Sequence, residues 1–154
     1  MLESTLVMVK PDGVRRGLIG EVIHRFEARG LVIRGIRSFV FTDELLQANY
    51  GHVADRPFFP ELRSYLTSGM TVALWVSGVE AVQVVRRMIG DTNARTAAPG
   101  TIRGDFAVST QRNVVHASDS VDNAQVELAR FFPDGPTVAE DESTVRTLYA
   151  TTEA

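Results

Sequence analysis

The sequence predicts an α+β fold of the ferredoxin-like βαββαβ plan, a four-stranded antiparallel sheet with covering helices. Three observations lead there. Short runs rich in β-branched and aromatic residues, which suit a pleated and half-buried surface, recur four times along the chain. Stretches with helical apolar periodicity lie between them, and two of these stand where the crossovers of a βαββαβ unit belong. No repeat at a fixed period and no linker divides the 154 residues, so residues 1–154 are expected to form one domain.

The elements follow in chain order. Thr5 to Val9, TLVMV, reads as a strand. The KPDG that follows has Pro and Gly where a type I turn prefers them, which puts Lys10 at the mouth of that strand. From Gly17 to Gly30 the residues Leu18, Ile19, Val22, Ile23 and Phe26 fall on one helical stripe, with Glu21, Arg25, Glu27 and Arg29 opposite and Gly30 as the stop. Leu31 to Phe41 is a second strand with a bulge expected at Gly35. Thr42 and Asp43 open a short helix to Tyr50, and another helix covers Pro60 to Thr67. Met70 to Val76 is the clearest buried strand. Gly78 to Ile89 then reads as a helix that turns Ala81, Val82, Val85, Met88 and Ile89 inward.

Gly90 to Arg112 has little periodicity, and a loop of that length inside a compact domain is usually functional or disordered. It carries Thr92, Arg95, Thr101, Arg103 and Arg112, a supply of donors that suits an anion. Val114 to His116 is a short strand. Ser118, Asp119 and Ser120 are N-cap types for a helix whose inward stripe includes Val121, Ala124, Leu128 and Phe131. Beyond Phe132 the chain is acidic and Thr-rich, with an apolar patch at Val145, Leu148 and Tyr149 that suits either a docked arm or a frayed end.

Composition narrows the function. Hydrophobic residues are 44% and charged residues 23% of the chain, the range of a globular protein. Cysteine is absent, so disulfides, thiolate metal sites and a thiol nucleophile are excluded. A net charge of −3 offers no positive field for nucleic acid, which is not expected as a main partner. The N-terminus has an acid and a helix breaker where a signal peptide needs a basic region and an apolar core, and no stretch approaches a membrane span. Of the 16 basic residues, 15 are arginine and the only lysine is Lys10. A compact ammonium has been placed at one position of a chain that otherwise uses guanidinium.

His116 is the sharpest chemical candidate. A lone histidine at a strand end is more often structural than catalytic, but a helix N-terminus follows this one, with unpaired N–H groups and a positive dipole end that favour a phosphate. A neutral imidazole can attack phosphorus near pH 7. His24 lies in a helix pattern and His52 in a loop, with no paired spacing for a metal. Phosphoryl transfer needs positive charge and alignment around the phosphates, which Lys10, Arg86 and Arg103 could supply. No G-x-x-x-x-G-K-[ST] loop is present, so a nucleotide would be held by another device. Of the adjacent Phe58 and Phe59 in RPFFP, one can enter the core while the other offers a stacking face to a base.

Taken together, NVVHASDS, KPDGVRRGLIGEVIHRFEARG, TNARTAAPGTIRGDFA, NYGHVADRPFFPEL and YLTSGMTVALWVSGVEAV resemble, in order and spacing, the segments of the nucleoside diphosphate kinase family, from about Leu6 to Phe132. The resemblance implies ping-pong transfer of a γ-phosphate from a nucleoside triphosphate such as ATP to a diphosphate such as GDP, with Mg²⁺ on the nucleotide. His116 matches the phosphorylated nucleophile and Glu127 the carboxylate that orients it, with Ser118 beside His116. Lys10, Tyr50, Arg86, Thr92 and Arg103 match residues around the phosphates, Asn113 with Lys10 the ribose contacts, and Phe58 with Leu62 the base platform. Asp119 matches a residue near the metal through water. The family also implies a cytoplasmic homo-oligomer, hexamer or tetramer. Ala117 stands where many members have Gly, Asn49 where His is common, and residues 133–154 form a divergent C-terminal tail. A nucleotide-responsive regulator without catalysis is the competing reading, and the intact His116, Lys10, Arg103 and Glu127 set argues against it.

Overall fold

A computed structural model describes residues 2–154. Its centre is one four-stranded sheet in the order β2-β3-β1-β4, built from β1 (Leu2–Val9), β2 (Val32–Val40), β3 (Met70–Val79) and β4 (Val115–Ala117). Every neighbouring pair is antiparallel, as the βαββαβ plan requires.

Side chains alternate across a strand, so β1 feeds two cores. Val7 and Val9, with Val72 and Leu74 of β3, face Val22 and Phe26 of α2 (Ile19–Ala28) and Val85 and Ile89 of α5 (Ala81–Ile89). Leu6 and Met8, with Ala73, face the other way. There they meet Leu46 of α3 (Asp43–Tyr50), Leu66 of α4 (Phe59–Leu66), and Leu128 and Phe131 of α7 (Val121–Phe131). His116 is the cross-strand partner of Met8, and opposed residues share a face. The histidine therefore lies on the α7 side.

Several boundaries differ from the sequence reading. β1 begins at Leu2 because Leu2 to Ser4 continue the ladder opposite Val79 to Ser77. KPDG does not form an isolated turn: Pro11 opens a helical turn, α1 (Pro11–Arg15), for which its ring is pre-set. β3 runs on to Val79 and α5 starts only at Ala81, with Glu80 at φ 51° making the reversal between them. The expected bulge falls between Ile33 and Gly35. The long loop holds a further helix, α6 (Ile102–Phe106), whose N-cap Thr101 accepts from the Gly104 N–H. Thr42 caps α3 and Ser120 caps α7 in the same way. Val121 is exposed rather than inward, since it is the first residue of α7 and its stripe begins a turn later at Ala124.

The tail docks. α8 (Glu142–Leu148) is capped by Asp141, the Val138 N–H donates to the Arg34 carbonyl at 3.0 Å, and the Tyr149 hydroxyl accepts from the Val79 N–H at 3.1 Å. These contacts sit at the sheet end where β1 begins, away from Lys10.

Candidate active site

A cleft of about 880 Å³ opens where β1 ends and β4 begins, bounded by α3, α4, α5 and α7. Lys10, Tyr50, Phe58, Leu62, Arg86, Thr92, Arg103, Asn113, His116, Asp119 and Glu127 all line it. Residues from six elements and five connecting segments thus converge on one space. Ser118 alone among the expected residues is not part of the wall. It is fully buried, and its hydroxyl accepts from the Leu6 N–H at 3.3 Å, tying β4 to β1 behind the histidine.

His116 stands at the middle of β4. Its Nε2 lies 2.6 Å from Glu127 Oε2, and the Glu127 side chain is only 12% exposed. A carboxylate can only accept, so Nε2 carries the hydrogen and Nδ1 keeps its lone pair. α7 makes this possible: with Ser120 as cap, Glu127 falls two turns into the helix and on the same side as Ala124, facing β4.

The cationic residues are arranged around that imidazole. Lys10 is buried, and its Nζ donates to the Gln111 carbonyl at 2.7 Å and to Asn113 Oδ1. Burial lowers its pKa to about 8, with Asp12 opposing the shift and Arg103 adding to it. Asn113 is fixed in turn by donating Nδ2 to the Thr92 and Thr110 carbonyls. Arg103 is likewise buried, donating to the carbonyls of Gly90 at 3.0 Å and Val115 at 2.8 Å. Burial, with the charge of Arg86 nearby, brings its pKa down to about 10, so it remains a guanidinium at neutral pH. Arg103 does not pair with Asp105, which is bound instead by Arg25 at 2.7 Å. Burial and the neighbouring Glu127 raise the Tyr50 phenol, which stays a donor.

At the mouth, Phe58 is 47% exposed while Phe59 packs into the second core. Leu62 lies one helical turn on from Phe58 and extends the same apolar face. Asp119 is exposed, and its pKa is lowered chiefly by a hydrogen bond from Asn123. That Asn123 stands four residues on, at the spacing of a helix turn, was the available signal for a contact the sequence reading missed. Gln111, Val126 and Arg130 also reach the cleft without having been singled out. Among the described residues no group of three or more His, Asp or Glu could hold a metal ion. Of the two carboxylates in the cleft, Glu127 is engaged by His116, which leaves Asp119 for a cation, a donor set suited to an ion brought in by phosphates.

Comparison with known proteins decides the family. A nucleoside diphosphate kinase family model matches residues 3–137. The chain belongs to the nucleoside diphosphate kinase family. It is 53% identical over 135 residues to a nucleoside diphosphate kinase of Exiguobacterium sibiricum, covering 88% of this chain and 98% of that one. A nucleoside diphosphate kinase of Parabacteroides distasonis is 44% identical over 152 residues, 99% of either chain, so that similarity includes the tail. Among solved structures, that of the Halobacterium salinarum nucleoside diphosphate kinase in complex with CDP superposes with a TM-score of 0.91 at 40% identity, over 97% of this chain and all of that one. The four-stranded antiparallel sheet with its helices described above is therefore that of a nucleoside diphosphate kinase fold.

Proposed function

We infer that this nucleoside diphosphate kinase moves the γ-phosphate of a nucleoside triphosphate to a nucleoside diphosphate by way of a phosphohistidine on His116. The observation that carries the reading is the 2.6 Å contact of His116 Nε2 with Glu127 inside a cationic cleft. It holds the imidazole in the tautomer whose Nδ1 can attack. In the first half-reaction Nδ1 forms a bond to the γ-phosphorus, the bond to the β–γ bridging oxygen breaks, and the nucleoside diphosphate leaves with that electron pair. The second half-reaction reverses these events on another diphosphate. One cleft serves both because donor and product are the same class of molecule.

Lys10, Arg86 and Arg103 supply charge to the nonbridging oxygens, and Tyr50 and Thr92 supply hydroxyl donors. Asn113 and Lys10 contact the ribose, and the base stacks on Phe58 and Leu62, a platform that accepts every base because each has a π-face. Mg²⁺ held by the nucleotide phosphates would neutralise part of their charge, with Asp119 reaching it through water. Ser118 supports the histidine from the β1 side. We further propose a cytoplasmic homo-oligomer. Among the described residues no helix is long and apolar enough to cross a membrane.

The test is single-turnover mixing of the enzyme with Mg-ATP in the absence of an acceptor, followed by GDP. A burst near one ADP per chain and then stoichiometric GTP is expected. Nucleotide binding without a burst would overturn the reading in favour of a regulator.

A further inference from the structure

Val114 has a φ of 72°, a conformation in which a β-branched side chain crowds its own backbone. The residue is fully buried, so its surroundings impose this geometry. Its peptide groups are gripped from both sides. The Lys10 N–H donates to the Val114 carbonyl at 2.8 Å, and the Val114 N–H donates to Asp12 Oδ2 at 3.0 Å. The other oxygen of Asp12 accepts from the Tyr65 hydroxyl, and Tyr65 is itself buried. Gly13 permits the approach: a Cβ there would lie 2.9 Å from Val9 Cγ1 and 3.0 Å from the Val114 carbonyl oxygen.

The left-handed residue has a directional consequence. Regular strand alternation would send Val114 and Val115 to opposite faces, yet both lie in the same core. The kink leaves Asn113 turned to Lys10 and still allows Val115 to Ala117 to pair with β1, with His116 opposite Met8.

We propose that Asp12 is a positioning residue for phosphoryl transfer: its carboxylate, oriented by Tyr65, holds Val114 in the left-handed conformation that sets Asn113 beside Lys10 and His116 in register on β4. This rests on the reading of the cleft given above. Asp12 is not among the residues that line the cleft and acts through Val114. A rival role, in which its negative charge merely tunes Lys10, predicts a different outcome when the backbone strain is removed.

The experiment is a double-mutant cycle between Asp12→Ala and Val114→Gly, since glycine adopts positive φ without strain. kcat/KM, ADP affinity and thermal midpoint are measured for each variant. Asp12→Ala is expected to lower kcat/KM by 50-fold or more and to weaken ADP binding through Lys10 and Asn113. Val114→Gly alone, which leaves a cavity, is expected to cost less than tenfold, and adding it to Asp12→Ala should recover at least tenfold. A merely structural role would lower the thermal midpoint without that recovery. An Asp12→Ala enzyme within threefold of the parent, or a folded double variant no better than Asp12→Ala, overturns the proposal. If Asp12→Ala does not fold, Tyr65→Phe takes its place, with a loss of three- to tenfold that Val114→Gly suppresses; no loss, or no suppression, again overturns it. A parent enzyme that forms no phosphoenzyme would instead refute the role of His116, and the clasp would still be judged by ADP affinity.

Discussion

In the proposed mechanism two side chains carry opposite duties at neutral pH. His116 must be neutral at Nδ1, whereas Lys10 must be charged although it is buried. Replacing His116 with Ala should abolish phosphoenzyme formation while ADP still binds, as read by acid-quench labelling and calorimetry. Full activity in that variant would refute the mechanism. For Lys10 the sign follows from the shift. Folding lowers its pKa from 10.5 to about 8, so between those values the unfolded chain holds a proton that the folded one has lost. Its contribution to stability therefore rises with pH through that window, and below about pH 8 the buried charge is a cost. Function runs the other way, because phosphate oxygens favour the ammonium. ADP affinity of the free enzyme should fall as pH rises above about 8, and Lys10→Met should raise the thermal midpoint while weakening ADP binding. An affinity flat across that range in the parent would mean that Lys10 does not meet the phosphates.

At the scale of elements, short helices aim the chemistry, and their caps can be tested. Ser120 accepts from the Asn123 N–H at 3.1 Å and starts α7, which delivers Glu127. Ser120→Ala should cost about 1 kcal/mol of stability, seen as a fall of roughly 2–4 °C in the thermal midpoint, and should loosen the His116–Glu127 contact. On α4, Phe58 and Leu62 form one apolar face at the mouth. Phe58→Ala should weaken all nucleotides by similar amounts, on the order of 1–3 kcal/mol, if stacking is the main base contact. Binding measured with ADP, GDP and CDP decides the point, and a loss confined to one base would contradict stacking.

Across the whole molecule, the sheet separates two tasks. One end, where β1 delivers Lys10 and β4 delivers His116, carries the cleft. The other end receives the tail through Tyr149 and Val138. Tyr149→Phe should lower stability by about 1 kcal/mol, the worth of one hydrogen bond, and leave kcat/KM unchanged because the contact lies beyond the cleft. An activity loss without a stability loss would place the tail in the site.

Much of this was legible in the chain itself, and the reasons are local. Apolar periodicity marked α2, α5 and α7; Thr42 and Ser120 announced caps by residue type; and the arginines and threonines of the long loop signalled an anion before any cleft was visible. The motifs named the chemistry because phosphoryl transfer restricts which side chains can do it. Boundaries such as the extension of β3 to Val79 were hidden, since ladder pairing between distant segments set them rather than propensity. Hidden for the same reason were the burial of Lys10, the bond of Glu127 to Nε2 rather than Nδ1, the inward burial of Ser118 and the grip of Asp12 on Val114. The sequence by itself determined the family and the βαββαβ order and singled out His116 as the candidate nucleophile, because these depend on residue type and spacing. Tertiary structure alone decided which imidazole nitrogen Glu127 engages and which charge is desolvated, the first through the packing of α7 on the sheet and the second through neighbours brought together from more than a hundred residues apart, as Lys10 and Asn113 are.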